Sequence, residues 1–171
     1  MSLTMYQASV PVFTQYLAAL SGLLDKAEAL CTAKKIDPLV MTSARLAPDM
    51  FPLSRQIQIA CDFAKGASAR LAGVDVPTWP DEEKTFADLK ARIKKTIDFI
   101  SALKPAQIDG SESRDIKLKI RGNDVVMKGQ PYLTNYATGH FYFHCTTAYA
   151  ILRHNGVEIG KGDFIGKIPG M

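Results

Sequence analysis

Tyr136-Ala137-Thr138-Gly139-His140-Phe141-Tyr142-Phe143-His144 is the stretch on which the reading of this chain turns. It holds two of the three histidines, four residues apart, in a run that is mostly aromatic. That spacing puts both imidazoles on one face of a helix, about 6 Å apart along its axis. Two neutral imidazoles so placed can share one Zn²⁺ or Ni²⁺ ion, which makes the pair a candidate metal site. Equally, any two residues four apart share a helix face, and the pair then consists of pocket or core histidines held by hydrogen bonds. His154 cannot complete the set, because it lies about 15 Å further along the helix and is rotated off this face. A third ligand has to come from another helix, and no other histidine exists.

Working outward, the helix carrying this stretch begins near Gln130-Pro131, where proline suits a first turn, and ends at Asn155-Gly156. It is apolar or aromatic on nearly every side, as expected of a helix central in a bundle or shared with a partner subunit. Upstream, Ile116, Leu118 and Ile120 alternate with Lys117, Lys119 and Arg121, a strand pattern. A two-residue turn at Gly122-Asn123 would pair Ile120 with Val125 and Leu118 with Met127 in a hairpin over about 115–128. Its lysines read as solvated edge protection.

Three further helices carry the 3.6-residue period. The first runs from about Tyr6 to Thr32, with Pro11 marking a late start or mild kink, and Leu39 to Pro48 follows as a loop. The second starts near Asp49 as cap, with Pro52 in its first turn, and stops at Gly73. A crossing loop, Val74 to Pro80, carries the only Trp. The third has Thr85 and Asp88 in capping-box positions and runs to Pro105. Asp109 to Asp115 reads as a flexible connection, and the tail from Val157 to Met171 as an irregular docked segment.

With 171 residues, 47% hydrophobic and 22% charged, the composition suits one globular domain spanning 1–171. The net charge of +4 is dispersed, and no basic strip interleaved with aromatics accompanies it, which speaks against nucleic-acid binding. Cys31, Cys61 and Cys145 are odd in number and far apart, as in a cytoplasmic protein with reduced thiols. The N-terminus lacks a basic n-region and no apolar run approaches a membrane span, so neither secretion nor membrane insertion is expected. Cys145 follows His144 directly, but neighbours on a helix point about 100° apart, so the two form no nucleophile–base pair.

Three phrases carry a resemblance: Phe51-Pro52-Leu53-Ser54-Arg55-Gln56-Ile57-Gln58-Ile59-Ala60, Gly139-His140-Phe141-Tyr142-Phe143-His144 and Gly160-Lys161-Gly162-Asp163-Phe164. With four long helices and His-x-x-x-His on the last, the chain resembles the DinB-like metalloenzyme superfamily, in a bacterial branch of unknown function. The resemblance implies an all-α, up-down-down-up four-helix bundle, often dimeric, into which the hairpin read above is inserted before the last helix. It also implies a divalent metal held by one histidine on the second helix and two on the fourth. Several members of the superfamily transfer low-molecular-weight thiols. This chain departs from the pattern, since its second helix has no histidine; Gln58 is the best positional match, a poorer ligand than imidazole.

The expected site is therefore His140, His144 and Gln58 as metal ligands for Zn or Ni, with Tyr136, Asp62 and Gln56 lining the pocket. Two functions follow as expectations. One is a divalent-metal enzyme acting on a small molecule, thiol transfer included, in which the metal lowers the pKa of a bound water or thiol. The other is a non-catalytic, dimeric small-molecule-binding or stress-related protein with a degenerate metal site.

Overall fold

The computed structural model describes residues 2–168 and 170. Four long helices build it: α1 (Val10–Lys34), α3 (Leu53–Ala72), α4 (Phe86–Ala102) and α7 (Thr138–His154). Between and after them lie α2 (Pro38–Thr42), α5 (Pro105–Ile108), strands β1 (Asp115–Ile120) and β2 (Asn123–Lys128), α6 (Gly129–Pro131) and α8 (Lys161–Ile165).

Contacts between side chains give the helix directions. Lys90 of α4 reaches Asp25 and Glu28 of α1, and Lys94 and Ile97 share a groove with Ser21 and Ala18, so these two helices run antiparallel. Phe13 meets Phe141 and Tyr16 meets Tyr142, each at 4.8 Å between ring centroids, so α1 and α7 run parallel. Gln56 lies against His144 and Arg70 against Tyr132, which makes α3 antiparallel to α7. The chain is thus an up-down-down-up bundle with a hairpin before the last long helix. Because α3 and α4 are parallel neighbours, the link between them must travel back along the bundle. The core is filled by Phe13, Leu17, Leu24, Leu53, Ile57, Leu89, Phe141 and Ile151, among others, all fully buried.

Local chemistry explains most boundaries. The Thr85–Asp88 capping box forms as read: the Thr85 hydroxyl accepts from Asp88 N–H and the Asp88 carboxylate accepts from Thr85 N–H. Pro11 sits in the first turn of α1 and marks a late start. Gly73, at φ 70°, ends α3 in the left-handed conformation.

Five readings need correction. The second long helix starts at Leu53, not near Asp49; Pro52 takes the cap position with extended backbone. Within the expected 39–48 loop, Asp37 caps the short helix α2, its carboxylate accepting from Leu39 N–H at 2.9 Å. The hairpin register is shifted by two residues, with Leu118 opposite Val125 and Ile116 opposite Met127. The turn falls at Arg121-Gly122, both at positive φ (50° and 84°), which matches strand twist better than a turn centred on Asn123. A slip of two keeps every side chain on its expected face, so the apolar side survives the error.

Fourth, 109–115 is held firmly: Asp109 accepts from Tyr6 N–H at 2.8 Å, Ser111 is buried, and the Arg114 guanidinium donates to the Leu71 carbonyl. Fifth, the tail contains α8, whose Phe164 packs on Tyr16 and Tyr149 while Lys26 pairs with Asp163. Pro169 and Met171 of that tail lie outside the described residues. The last long helix also opens with a π-helical segment, Tyr132–Ala137, that the sequence period does not betray.

Gly129, where β2 passes into α6, lies so close to the chain that any Cβ there would overlap the Ser111 carbonyl oxygen. Gly129→Ala is expected to cost about 2–4 kcal/mol, because backbone rather than a flexible side chain must move. Gly22→Ala, mid-helix with nothing within 4 Å of the new methyl, should instead gain about 1 kcal/mol. Urea denaturation of the two variants reads both signs.

Candidate functional site: an imidazole groove between α3 and α7

On α3, Gln56, Ile59, Phe63, Gly66 and Arg70 recur at three- and four-residue spacing, forming one stripe. That stripe faces α7. Gln56 meets His144, Phe63 meets His140 and Tyr136, and Arg70 meets Tyr132.

The two histidines are not equivalent. His144 is only 7% exposed, and its Nδ1 lies 2.7 Å from the Gln56 side-chain oxygen. The Gln56 amide nitrogen donates to the Phe51 carbonyl at 3.0 Å, an acceptor only, which fixes the amide with its oxygen toward the ring. His144 must therefore donate from Nδ1–H, and Nε2 keeps a free lone pair. Burial, then the neighbouring His140 and Arg55, push its pKa down to about 4. His140 is exposed at the rim and lies flat on Phe63, with 4.4 Å between centroids and 4° between planes. Phe63 also runs nearly parallel to His144, at 6.2 Å and 16°, so one phenyl ring forms a platform beside both imidazoles. Tyr136 closes the other side, edge-on to His140 at 4.6 Å. Tyr136, His140 and His144, with Asn135, Gly139 and Phe143, line an open groove of about 490 Å³, with Phe63 behind the His140 ring.

Gln58 points elsewhere. Its amide nitrogen donates to Glu83 at 2.8 Å and its oxygen accepts from Arg55 at 3.2 Å. Both belong to a closed ring of side chains: Arg55 pairs with Asp81, Asp81 with Arg92, and Arg92 with Glu83. Asp62 joins the same network, one oxygen accepting from Lys65 at 2.8 Å and Arg92 at 3.0 Å. Of the residues named from sequence, the structure thus gathers His140, His144, Tyr136 and Gln56, and gives Gln58 and Asp62 to an ion network beside them. Phe63 and Arg55 were missed. The i, i+7 spacing of Gln56 and Phe63 would have found the former, whereas Arg55 lies off the stripe and only the fold reveals its role.

A family profile described as "Domain of unknown function (DUF1993)" matches residues 5–165. The chain belongs to that family. Among solved structures it is similar to a DinB family member protein from Shewanella denitrificans, at 38% identity and a TM-score of 0.87. The match covers 97% of this chain and 94% of that one. No curated protein matches. In this DinB-like chain of the DUF1993 family no helix among the described residues is long and apolar enough to cross a membrane.

The donor set can be tested against the metal that the resemblance implies. A catalytic zinc takes three protein ligands. Opposite the imidazoles α3 offers Gln56, whose oxygen His144 already uses, then Ile59 and Phe63 by their place on the stripe. Among the described residues no group of three or more His, Cys, Asp or Glu side chains is placed to hold an ion. The residues present do not make a three-ligand centre. The thiols add nothing: Cys61 is pushed up to about 12 by burial, and Cys145 is raised by the same cause.

The depressed pKa of His144 sets a pH dependence with a definite sign. Unfolded, the ring takes a proton near 6.5; folded, only near 4. Its contribution, about 3 kcal/mol, is therefore fully present above pH 6.5 and is lost as pH falls toward 4. Proton NMR of the His144 ring should show no titration between pH 8 and about 5, and urea midpoints should fall across the acid limb. Gln56→Ala, which strands the buried Nδ1–H, should cost about 1–3 kcal/mol at neutral pH in the same urea assay.

Proposed function

We propose that this DinB-like chain is a small-molecule-binding protein whose imidazole groove works without a metal. The carrying observation is His144 itself. Its Nε2 lone pair is free while Nδ1–H is committed to Gln56, and its pKa of about 4 makes it a weak base at neutral pH. A base tuned so low abstracts protons poorly but still accepts a hydrogen bond, so the arrangement favours recognition over proton transfer. The fitting ligand has a flat apolar body for Tyr136 and Phe143, which line the groove, and a hydroxyl, thiol or N–H directed at Nε2. Phe143, 57% exposed beside the groove, and Phe51, 54% exposed near the N-terminus of α3, support a dimer that covers this face. Three free, buried cysteines suit a reducing cytoplasm.

A second reading keeps the divalent metal and the enzymatic, thiol-transferring role. It is favoured by one observation: metal-bound histidines characteristically donate their other ring N–H to a neighbouring oxygen, as His144 does. Zn²⁺ or Ni²⁺ would then sit on His140 and His144 alone, its other positions left to water or ligand.

Titration calorimetry of tag-free protein separates the two. The binding reading expects benzyl alcohol to bind about fivefold tighter than toluene, an advantage lost in His144→Phe, because one hydrogen bond is worth about 1 kcal/mol. It also expects ZnCl₂ and NiCl₂ to bind no tighter than tens of micromolar, on the order of 6 kcal/mol. Stoichiometric submicromolar metal binding that disappears in His140→Ala/His144→Ala would replace it with the metal reading. Light scattering checks the dimer: a monomer at all concentrations removes that part.

A further inference from the structure

Beyond Phe63 the stripe of α3 that faces the histidines ends in Gly66 and Arg70, and these two residues fit one another. Arg70 folds back along the helix, as helical side chains do, until its Nη1 lies 2.5 Å from where a Gly66 Cβ would stand. A glycine in mid-helix costs about 1 kcal/mol relative to alanine. Here it makes room for a guanidinium. That group is half-buried and makes one side-chain hydrogen bond, to the Tyr132 hydroxyl at 3.3 Å. Among the described residues no carboxylate pairs with it, although every other buried or half-buried cation of α3 and α4 near this wall has one.

Arg70 lines a cavity of about 210 Å³ with Tyr132, Tyr136, Phe63 and, from the hairpin, Lys119. At about 30 Å³ per water, the space suits a group of several heavy atoms. Asp62 also borders it, but its charge is already answered by Lys65 and Arg92. Lys119 makes only a long, exposed contact with Asp124, at 3.8 Å. Two cations, Arg70 and Lys119, thus border the cavity beside one carboxylate that is already paired. Tyr136 lines both this cavity and the groove, and Phe63, a wall of this cavity, carries the groove residue His140 stacked on its ring. The guanidinium, drawn back to the level of Gly66, stands about 4.5 Å along the axis from Phe63.

We propose that the groove continues into this cavity as an oxyanion pocket, and that the ligand is a small carboxylic acid. Its carboxylate is gripped by Arg70, with Lys119 at the rim, and its apolar body lies across Phe63 and Tyr136. The planar fork of a guanidinium matches a carboxylate through two parallel hydrogen bonds, which an ammonium cannot supply. This rests on the groove being a ligand site and adds the class of ligand it takes.

The test uses 3-phenylpropionate and its neutral isostere 3-phenylpropanamide, titrated into the full chain at pH 7 and followed by two-dimensional NMR. The acid should bind about tenfold tighter than the amide, with shifts at Arg70, Phe63 and Tyr136. Arg70→Gln and Gly66→Ala should each reduce that preference to less than about twofold, and Arg70→Lys should keep part of it. Gly66→Ala leaves all charges in place and improves helix propensity, so its loss of preference cannot come from unfolding. Equal binding of acid and amide, or a preference that survives both substitutions, overturns the proposal. If the two bind equally with shifts centred on His144, the groove stands and the anion pocket falls. If neither moves His144, Phe63 or Tyr136 at about 10 mM, both fall.

Discussion

A guanidinium that is 2% exposed cannot be left uncompensated, and Arg92 is such a group. Its two terminal nitrogens reach Asp62 of α3, Asp81 and Glu83 of the connecting loop, and the Pro80 carbonyl. Breaking one partner from a buried cation typically costs several kcal/mol, so these contacts fix relative positions rather than decorate them. The loop between two parallel helices is otherwise free to sag across the bundle. Arg92 pins it, and Trp79 adds a second clasp, with Lys65 and Lys95 at 4.3 and 4.6 Å from its ring. Gln58 and Arg55 enter that ring of charges from α3, and Arg55 in turn helps keep His144 neutral. The ionic side of α3 and its imidazole side are therefore one mechanical unit.

This division of labour around α3 accounts for what the sequence could and could not reveal. Four helices, their order and the Thr85–Asp88 box depend on local periodicity and capping, which a single chain records. The pairing of histidines on one helix face is equally local. Gln56 and Gln58 illustrate the limit: they differ by two residues, hence by about 200° around the helix, and only the direction from which α7 approaches decides between them. Homology of position favoured Gln58; packing chose Gln56. The hairpin shows the same split. Period-two alternation sets which face is apolar, whereas register depends on which two residues accept positive φ, and Arg121 is a poor advertisement for that role.

Opposite the imidazoles the stripe of α3 presents an amide and apolar side chains: Gln56, Ile59 and Phe63. A ring whose Nδ1–H is tied down and whose pKa is about 4 presents a fixed acceptor to any partner. Phe63, stacked on His140, occupies the neighbourhood in which another donor would be needed. The site thus sets two imidazoles in register beside π surface and a fixed hydrogen-bond acceptor.

The π-helical segment Tyr132–Ala137 carries a mechanical consequence of its own. Wider turns of this kind are thermodynamically poorer than α-helix and survive where surrounding packing insists on them. Tyr132 and Tyr136, stacked on one another within it, both line the Arg70 cavity, and Tyr136 also lines the groove. Local loosening confined to this weak coil would shift the wall of the Arg70 cavity while Thr138–His154, the helix that holds the imidazoles, stays wound.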